Sequence, residues 1–169
     1  MKFLGLLIAL LLATPAYSTT IACDGKSMAS DSQATTGTTK QLHFQKLYRI
    51  NGFIVGCAGD VEAIKQFRKW FGDQKRPKPK FKEHFDALVF NQFGCFKYDE
   101  TLQKSLVKTP CAIGTGGCFA EMSMRAGDSA DKAVEYAEQI DLYSSGDIQV
   151  MSLDASSYSE ILFLNALPL

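Results

Sequence analysis

An apolar run too short to cross a membrane constrains where the folded part of this chain begins. Phe3 to Ala13 is an uncharged stretch of 11 residues, preceded by the single base Lys2. A membrane-spanning helix needs about 20 such residues, whereas the apolar region of a secretory signal has this shorter length. Ala16 and Ser18 put small side chains at the −3 and −1 places of a cut before Thr19. No cysteine follows the run where a lipid anchor would need one. Residues 1–18 are therefore expected to be a signal peptide, with residues 19–169 forming one exported domain, secreted or periplasmic. The alternatives are a buried N-terminal strand or a retained anchor, and a cytoplasmic protein if the leader is not used.

A cut after Ser18 gives the mature chain an N-terminal threonine. Thr19 would then carry a hydroxyl nucleophile and a free α-amine on one residue. An N-terminal amine acting as base is one way to activate a threonine hydroxyl, which is otherwise a weak nucleophile.

Charge narrows the partners. The 169 residues hold 18 bases and 18 acids, so no excess of either sign points to nucleic acid or to charge-held membrane binding. The five cysteines, Cys23, Cys57, Cys95, Cys111 and Cys118, all fall in the expected mature chain. An odd number in an exported protein leaves at least one thiol unpaired, and their spacing lacks the CxxC pairs of a zinc site. Cys57, inside Val55-Gly56-Cys57-Ala58, reads as a core residue of a strand, and burial is expected for most of the others too.

Local patterns outline an α+β domain. Thr20 to Cys23 and Ser27 to Asp31 flank an Asp24-Gly25 turn, and Phe44 to Ile50 and Phe53 to Ala58 flank Asn51-Gly52. Both read as hairpins. Val61, Ile64, Phe67 and Phe71 recur at helical spacing, predicting a helix over 60–72 with Arg68 and Lys69 toward solvent. A basic, proline-broken connection at 75–80 follows. Ala87 to Phe90 and Cys95 to Tyr98 read as a third hairpin, with strands near Leu106 and at Pro110–Ile113. A helix opened by Gly114 to Gly117 should run to about Ala126 and stop at Gly127. A second, at about 130–140, is expected to be capped by Asp128 or Ser129. Strands at 147–153 and 158–164 finish the chain, and helices covering sheet faces fit this order.

The chemistry of Thr19 sets further requirements. Its amine, with a reference pKa of about 7.7–8.0, is partly protonated at neutral pH. A neighbouring lysine ammonium favours the neutral, basic form. A carboxylate must hold that lysine, and backbone N–H donors must receive the oxyanion. Asp31, Lys46, Gly59 and Asp141 are candidates. Asp31, Lys46 and Asp141 also have plain structural readings: a strand end, an exposed strand residue and a helix C-terminal turn residue.

A resemblance selects among them. Thr19-Thr20-Ile21, Asp31-Ser32-Gln33-Ala34-Thr35, Lys46-Leu47-Tyr48-Arg49-Ile50 and Gly56-Cys57-Ala58-Gly59-Asp60 resemble successive blocks of proteasome β-subunits. They resemble more closely the bacterial peptidase HslV and its compact phage and bacterial relatives. Ala112-Ile113-Gly114-Thr115-Gly116-Gly117 and Asp141-Leu142-Tyr143-Ser144-Ser145-Gly146-Asp147 continue the likeness in order. The resemblance implies an N-terminal nucleophile hydrolase with a four-layer αββα sandwich. It implies Thr19 as nucleophile and base, Asp31 and Lys46 as the charged pair tuning the amine, and Gly59 N–H in the oxyanion hole. Thr115, where the family usually has serine, would sit beside the amine, with Asp141 and Ser144 as further polar support. Thr35 would pair with the substrate backbone and Cys57 would line the specificity pocket.

The resulting expectation is an exported threonine-type peptidase acting on a peptide or protein, needing no metal or organic cofactor and matured by signal peptidase. A small-amide amidase on the same fold, or a catalytically silent exported interaction module, are the alternatives. The short basic segment before Ala87 leaves the family's second helix missing or reduced. A homo-oligomer therefore stays open, while a closed ring is not expected.

Overall fold

The computed structural model describes residues 19–36 and 39–153. The expected leader at 1–18 and the expected strand at 158–164 lie outside those residues. The described part is a mixed α+β fold with two main antiparallel sheets. The first contains β1 (Thr20–Cys23), β2 (Ser27–Ser30), β10 (Cys111–Gly114) and β11 (Gln149–Ser152), in the order β10-β1-β2-β11. The second contains β5 (Leu47–Ile50), β6 (Phe53–Gly59), β7 (Phe85–Asn91), β8 (Gly94–Asp99) and β9 (Ser105–Val107), in chain order. A small ladder joins β3 (Ala34–Thr36) to β4 (Thr39–Gln41).

The two-residue period of strand side chains builds the core. Ile21 and Cys23 of β1, with Met28 of β2, pack against Leu47, Ile54, Leu88, Phe90 and Cys95 of the second sheet. The intervening residues face the other way. Ala22 and Ala29 meet Ala120, Met124, Ala130, Ala133, Val134 and Ala137 of α2 (Gly117–Ala126) and α3 (Ala130–Glu138). Small side chains on both surfaces allow these helices to lie close to the sheet. On the second sheet, Val55, Ala87 and Val89 turn away from the first sheet and toward α1 (Val61–Gly72).

α1 follows the expected stripe. Ala63, Ile64, Phe67, Trp70 and Phe71 are its buried residues, while Val61 is exposed. Phe67 is wholly buried, its ring 5.1 Å from that of Phe85 and 5.5 Å from that of Tyr98. Asp60 starts the helix, its carboxylate accepting a 2.8 Å bond from Ala63 N–H. Arg68, expected on the solvent side, instead lays its guanidinium over the Tyr48 ring at 3.3 Å. Residues 73–84 contain no helix. Among the described residues, no helix is long and apolar enough to cross a membrane.

Two turns fix the strands that lead into the site. Asn51 and Gly52 both have positive φ, 53° and 79°, the conformation of a two-residue hairpin turn matched to strand twist. Asp24 accepts 2.7 Å bonds from Lys26 N–H and Ser27 N–H, closing the β1–β2 hairpin. Its other carboxylate oxygen takes a 3.1 Å bond from Ala130 N–H at the start of α3. The α3 cap therefore comes from across the fold: Ser129 is the N-cap residue but makes no side-chain capping bond, and Asp128 accepts from Ser123 Oγ at 2.6 Å.

Candidate active site

Thr19 directly precedes β1, whose neighbours are β2 and β10. This central position brings three chain segments to it. β2 runs antiparallel to β1 with Ser30 opposite Ile21, so the residue after β2 returns to the residue before Ile21. Asp31 Oδ1 accepts a 2.7 Å bond from Thr20 N–H, and Asp31 N–H returns a 3.3 Å bond to the Thr20 carbonyl.

Lys46, immediately before β5, completes the pair. Its Nζ donates at 2.8 Å to both Asp31 carboxylate oxygens. Asp31 also accepts from Gln33 N–H at 3.0 Å and Ser145 N–H at 3.3 Å. Three backbone donors and an ammonium thus satisfy a carboxylate that has no solvent exposure, as a buried charge requires. Burial pulls the Lys46 ammonium below its ordinary pKa, and the attraction of Asp31 only partly offsets it. The Lys46 backbone is held as well. Its N–H donates to Gln149 Oε1 at 3.0 Å, and its carbonyl accepts from Cys57 N–H at 3.3 Å.

The third segment arrives through β10. Gly114 pairs with Thr20, which carries Thr115 to the nitrogen of Thr19. That nitrogen lies 3.4 Å from Thr115 Oγ1, and Thr115 Oγ1 lies 2.7 Å from Asp141 Oδ2. Ser144 Oγ reaches the same oxygen at 2.6 Å and meets Thr20 Oγ1 at 2.7 Å. The donors are fixed by counting protons. A carboxylate only accepts, so Thr115 and Ser144 donate to Asp141. Thr20 then donates to Ser144, and Thr115 receives the N–H of Thr19.

Gly116 makes this packing feasible. A Cβ there would lie 2.0 Å from Thr20 Oγ1 and 3.1 Å from both Asp141 Oδ2 and Ser144 Oγ. Its φ of −84° is ordinary, so space alone demands glycine.

The sequence candidates divide by position. Thr19, Asp31, Lys46, Thr115, Asp141 and Ser144 lie in linked hydrogen-bond networks around the start of β1, and Thr19 is only 4% exposed. Gly59 ends β6 with φ +125°, and a Cβ would come within 2.6 Å of Phe85 Cα. Thr35 lies exposed on β3, its Oγ1 receiving Gln33 Nε2 at 3.2 Å. Cys57 is 3% exposed, within the α1-facing cluster, and burial pushes its thiol up to about 12. Sequence reasoning left out Thr20, Gln33 and Ser145. Ser145 Oγ donates to Gln33 Oε1 at 2.6 Å, bracing the loop that feeds Asp31. All three adjoin or fall within the blocks already singled out.

Among the described residues, the one group able to gather three metal-ligating atoms is Cys23, Cys95 and Cys111. It lies at the far end of β1 from Thr19.

No protein-family model and no curated protein matches this sequence. Solved structures do match. Eukaryotic HslV from Trypanosoma brucei aligns with a TM-score of 0.59 at 23% identity, covering 79% of this chain and 98% of that one. The chain has the HslV fold. The bacterial proteasome homologue BPH of Thiobacillus denitrificans aligns with a TM-score of 0.59 at 18% identity, covering 81% of this chain and 98% of its own. The same BPH in complex with epoxomicin gives 0.58 at 17% identity, with coverage of 80% and 98%. This HslV-like chain thus shares the proteasome β-type arrangement of strands and helices with proteins to which it has little residue identity.

Proposed function

We propose that this HslV-like chain is an exported threonine peptidase, an αββα-sandwich N-terminal nucleophile hydrolase that becomes active when its leader is removed after Ser18. The observation that carries the reading is the environment of the Thr19 nitrogen. Thr115 Oγ1 stands 3.4 Å from it and 2.7 Å from Asp141. The Asp31–Lys46 pair binds the adjacent amide of Thr20. The nitrogen that cleavage would turn into an α-amine is thus already flanked by an ordered polar network.

In this reading the Thr19 hydroxyl adds to the carbonyl carbon of a peptide bond as its proton passes to the α-amine. The Gly59 N–H receives the oxyanion. Collapse to the ester breaks the carbon–nitrogen bond, and the leaving amine takes the proton back from the α-ammonium. Water then attacks the ester with the same amine as base, releasing the acid and restoring Thr19. Lys46, held by Asp31, keeps the amine basic by disfavouring a second positive charge nearby. Thr35 would pair with the substrate backbone and Cys57 would line the specificity pocket, the roles that the resemblance implies.

The test begins with export of the full chain and identification of its N-terminal residue by intact mass. A mature start at any residue other than Thr19 would sink the mechanism. With that start established, an electrophilic peptide probe should label the wild type, label Thr19→Ser partially and leave Thr19→Ala unmodified. Epoxomicin, held by the Thiobacillus relative, should compete with the probe. Full labelling of Thr19→Ala would assign the chemistry to another nucleophile.

A further inference from the structure

Three of the five cysteines converge at one point in the core between the sheets. Cys23 of β1 and Cys111 of β10 stand directly opposite each other. Cys95, at the start of β8, comes from the second sheet. Their three sulfurs lie within 4.8 Å of one another, and Cys95 Sγ is 3.6 Å from Cys111 Sγ. All three are buried among Ile21, Met28, Phe90 and Ile113.

We propose that Cys95 and Cys111 form a disulfide that joins the two sheets in the exported protein. The proposal rests on the export reading above, because such bonds persist in oxidising compartments and are rare in the cytosol. A disulfide needs a sulfur separation of about 2.03–2.05 Å, and the sulfurs of Cys95 and Cys111 are already in van der Waals contact at 3.6 Å. Cys111 is the hub of the trio. In the folded trio its contacts with Cys23 and Cys95 favour its thiolate and hold its pKa below the ordinary thiol value, while burial opposes them. Cys23 is pushed the other way, above its ordinary value, led by its bond to Cys111. Either sulfur of the pair can attack first, and the exchange balances in the same way from Cys111 or from Cys95.

The oxidant is a disulfide donor, either a protein dithiol oxidase or oxidised glutathione. Starting from Cys111, its thiolate attacks one sulfur of the donor, forming a mixed disulfide and expelling a thiolate. Cys95, having given up its proton, attacks the Cys111 sulfur and expels the donor's second thiolate. The two cysteines lose two electrons, the donor disulfide gains them, and the two thiol protons end on the donor's thiols. Because the trio is buried, the exchange takes place before the sheets close. Cys23, Cys57 and Cys118 remain thiols.

The test is alkylation of the exported full-length gene product under denaturing conditions, followed by non-reducing digestion and mass spectrometry. Three alkylated cysteines and a linked peptide pair containing Cys95 and Cys111 are expected. Five alkylated cysteines, a Cys23–Cys111 link, or a stoichiometric soft metal ion released on denaturation would each overturn the proposal. Cys23→Ser should retain the link, and Cys111→Ser should lose it. The same digest contains the N-terminal peptide, so failure of leader removal registers separately from failure of the link. Refolding the reduced protein against oxidised glutathione separates the geometry from export. The Cys95–Cys111 link should form there too, and its absence from the refolded protein overturns the assignment.

Discussion

Lys46 Nζ lies 2.8 Å from each carboxylate oxygen of Asp31, and neither side chain is more than 3% exposed. Such a pair adds little over a well-packed apolar pair, but breaking it strands a charge. Lys46→Met removes the ammonium while keeping most of the stem's volume. It should destabilise the fold by about 3–5 kcal/mol in urea denaturation. In the proposed mechanism it should also lower kcat/KM, by at most the roughly 10²–10⁴-fold that the general base it tunes contributes. An unchanged urea midpoint would show that Asp31 is satisfied by its backbone donors alone.

Thr115 offers a cleaner separation of hydroxyl from shape. Thr115→Val keeps the branched side chain but removes the link between the Thr19 nitrogen and Asp141. A hydrogen bond involving a charged group contributes about 1.5–3 kcal/mol, and each 1.36 kcal/mol is about tenfold in rate. Probe labelling should therefore slow by roughly 10- to 100-fold in Thr115→Val and stay near the wild-type rate in Thr115→Ser. Equal loss in both variants would implicate the methyl group instead.

The contrast between these networks and the cysteine trio shows what was legible in the sequence. Asn51-Gly52 announced its hairpin because few other dipeptides accept two positive φ values. α1 was legible from Ile64, Phe67 and Phe71 because they repeat every three or four residues. Asp31, Lys46, Thr115 and Asp141 were picked out by their order along the chain, since no local pattern marks a buried carboxylate. β3 and β4 were missed: Ala34-Thr35-Thr36 and Thr39-Lys40-Gln41 have no apolar alternation. Burial was expected for most of the cysteines, but no pairing could be assigned to Cys23, Cys95 or Cys111. Only the β1–β10 register and the packing of two sheets bring them together. Long-range capping was hidden for the same reason: α3 takes its cap from Asp24, far away in sequence.

That cap has a pH signature. Burial alone would raise the Asp24 pKa, but N–H bonds from Ser27, Lys26 and Ala130 outweigh it and hold the carboxyl below its usual 3.8. A depressed acid contributes stability above its unfolded pKa and loses it as pH falls through the lower folded value. Asp24→Ala should cost about 1 kcal/mol at pH 7, the usual loss for a removed helix cap. Urea midpoints of wild type and variant should converge as pH falls below 3.8. A gap that stays constant into strong acid would show that the loss comes from packing rather than from the ionised cap.

The charged pair also predicts opposite pH trends for activity and for one part of stability. In the proposed mechanism the Thr19 amine must be neutral to accept a proton, so kcat/KM should rise with pH through its pKa. The nearby ammonium should place that limb below the ordinary range of about 7.7–8.0. At higher pH Lys46 gives up its proton, and burial brings this about below its usual 10.5. Activity should then fall, because the charge that tunes the amine is gone. Stability moves the other way. Between the lowered folded pKa and 10.5 the unfolded chain binds more protons at this site than the folded one. The contribution of Lys46 to the unfolding free energy therefore rises with pH across that window. Measured together, kcat/KM should decline on the alkaline side while the urea midpoint of wild type gains on that of Lys46→Met. A midpoint that fell in step with activity would assign the alkaline limb to unfolding, and Lys46 would lose its place as the group that sets it.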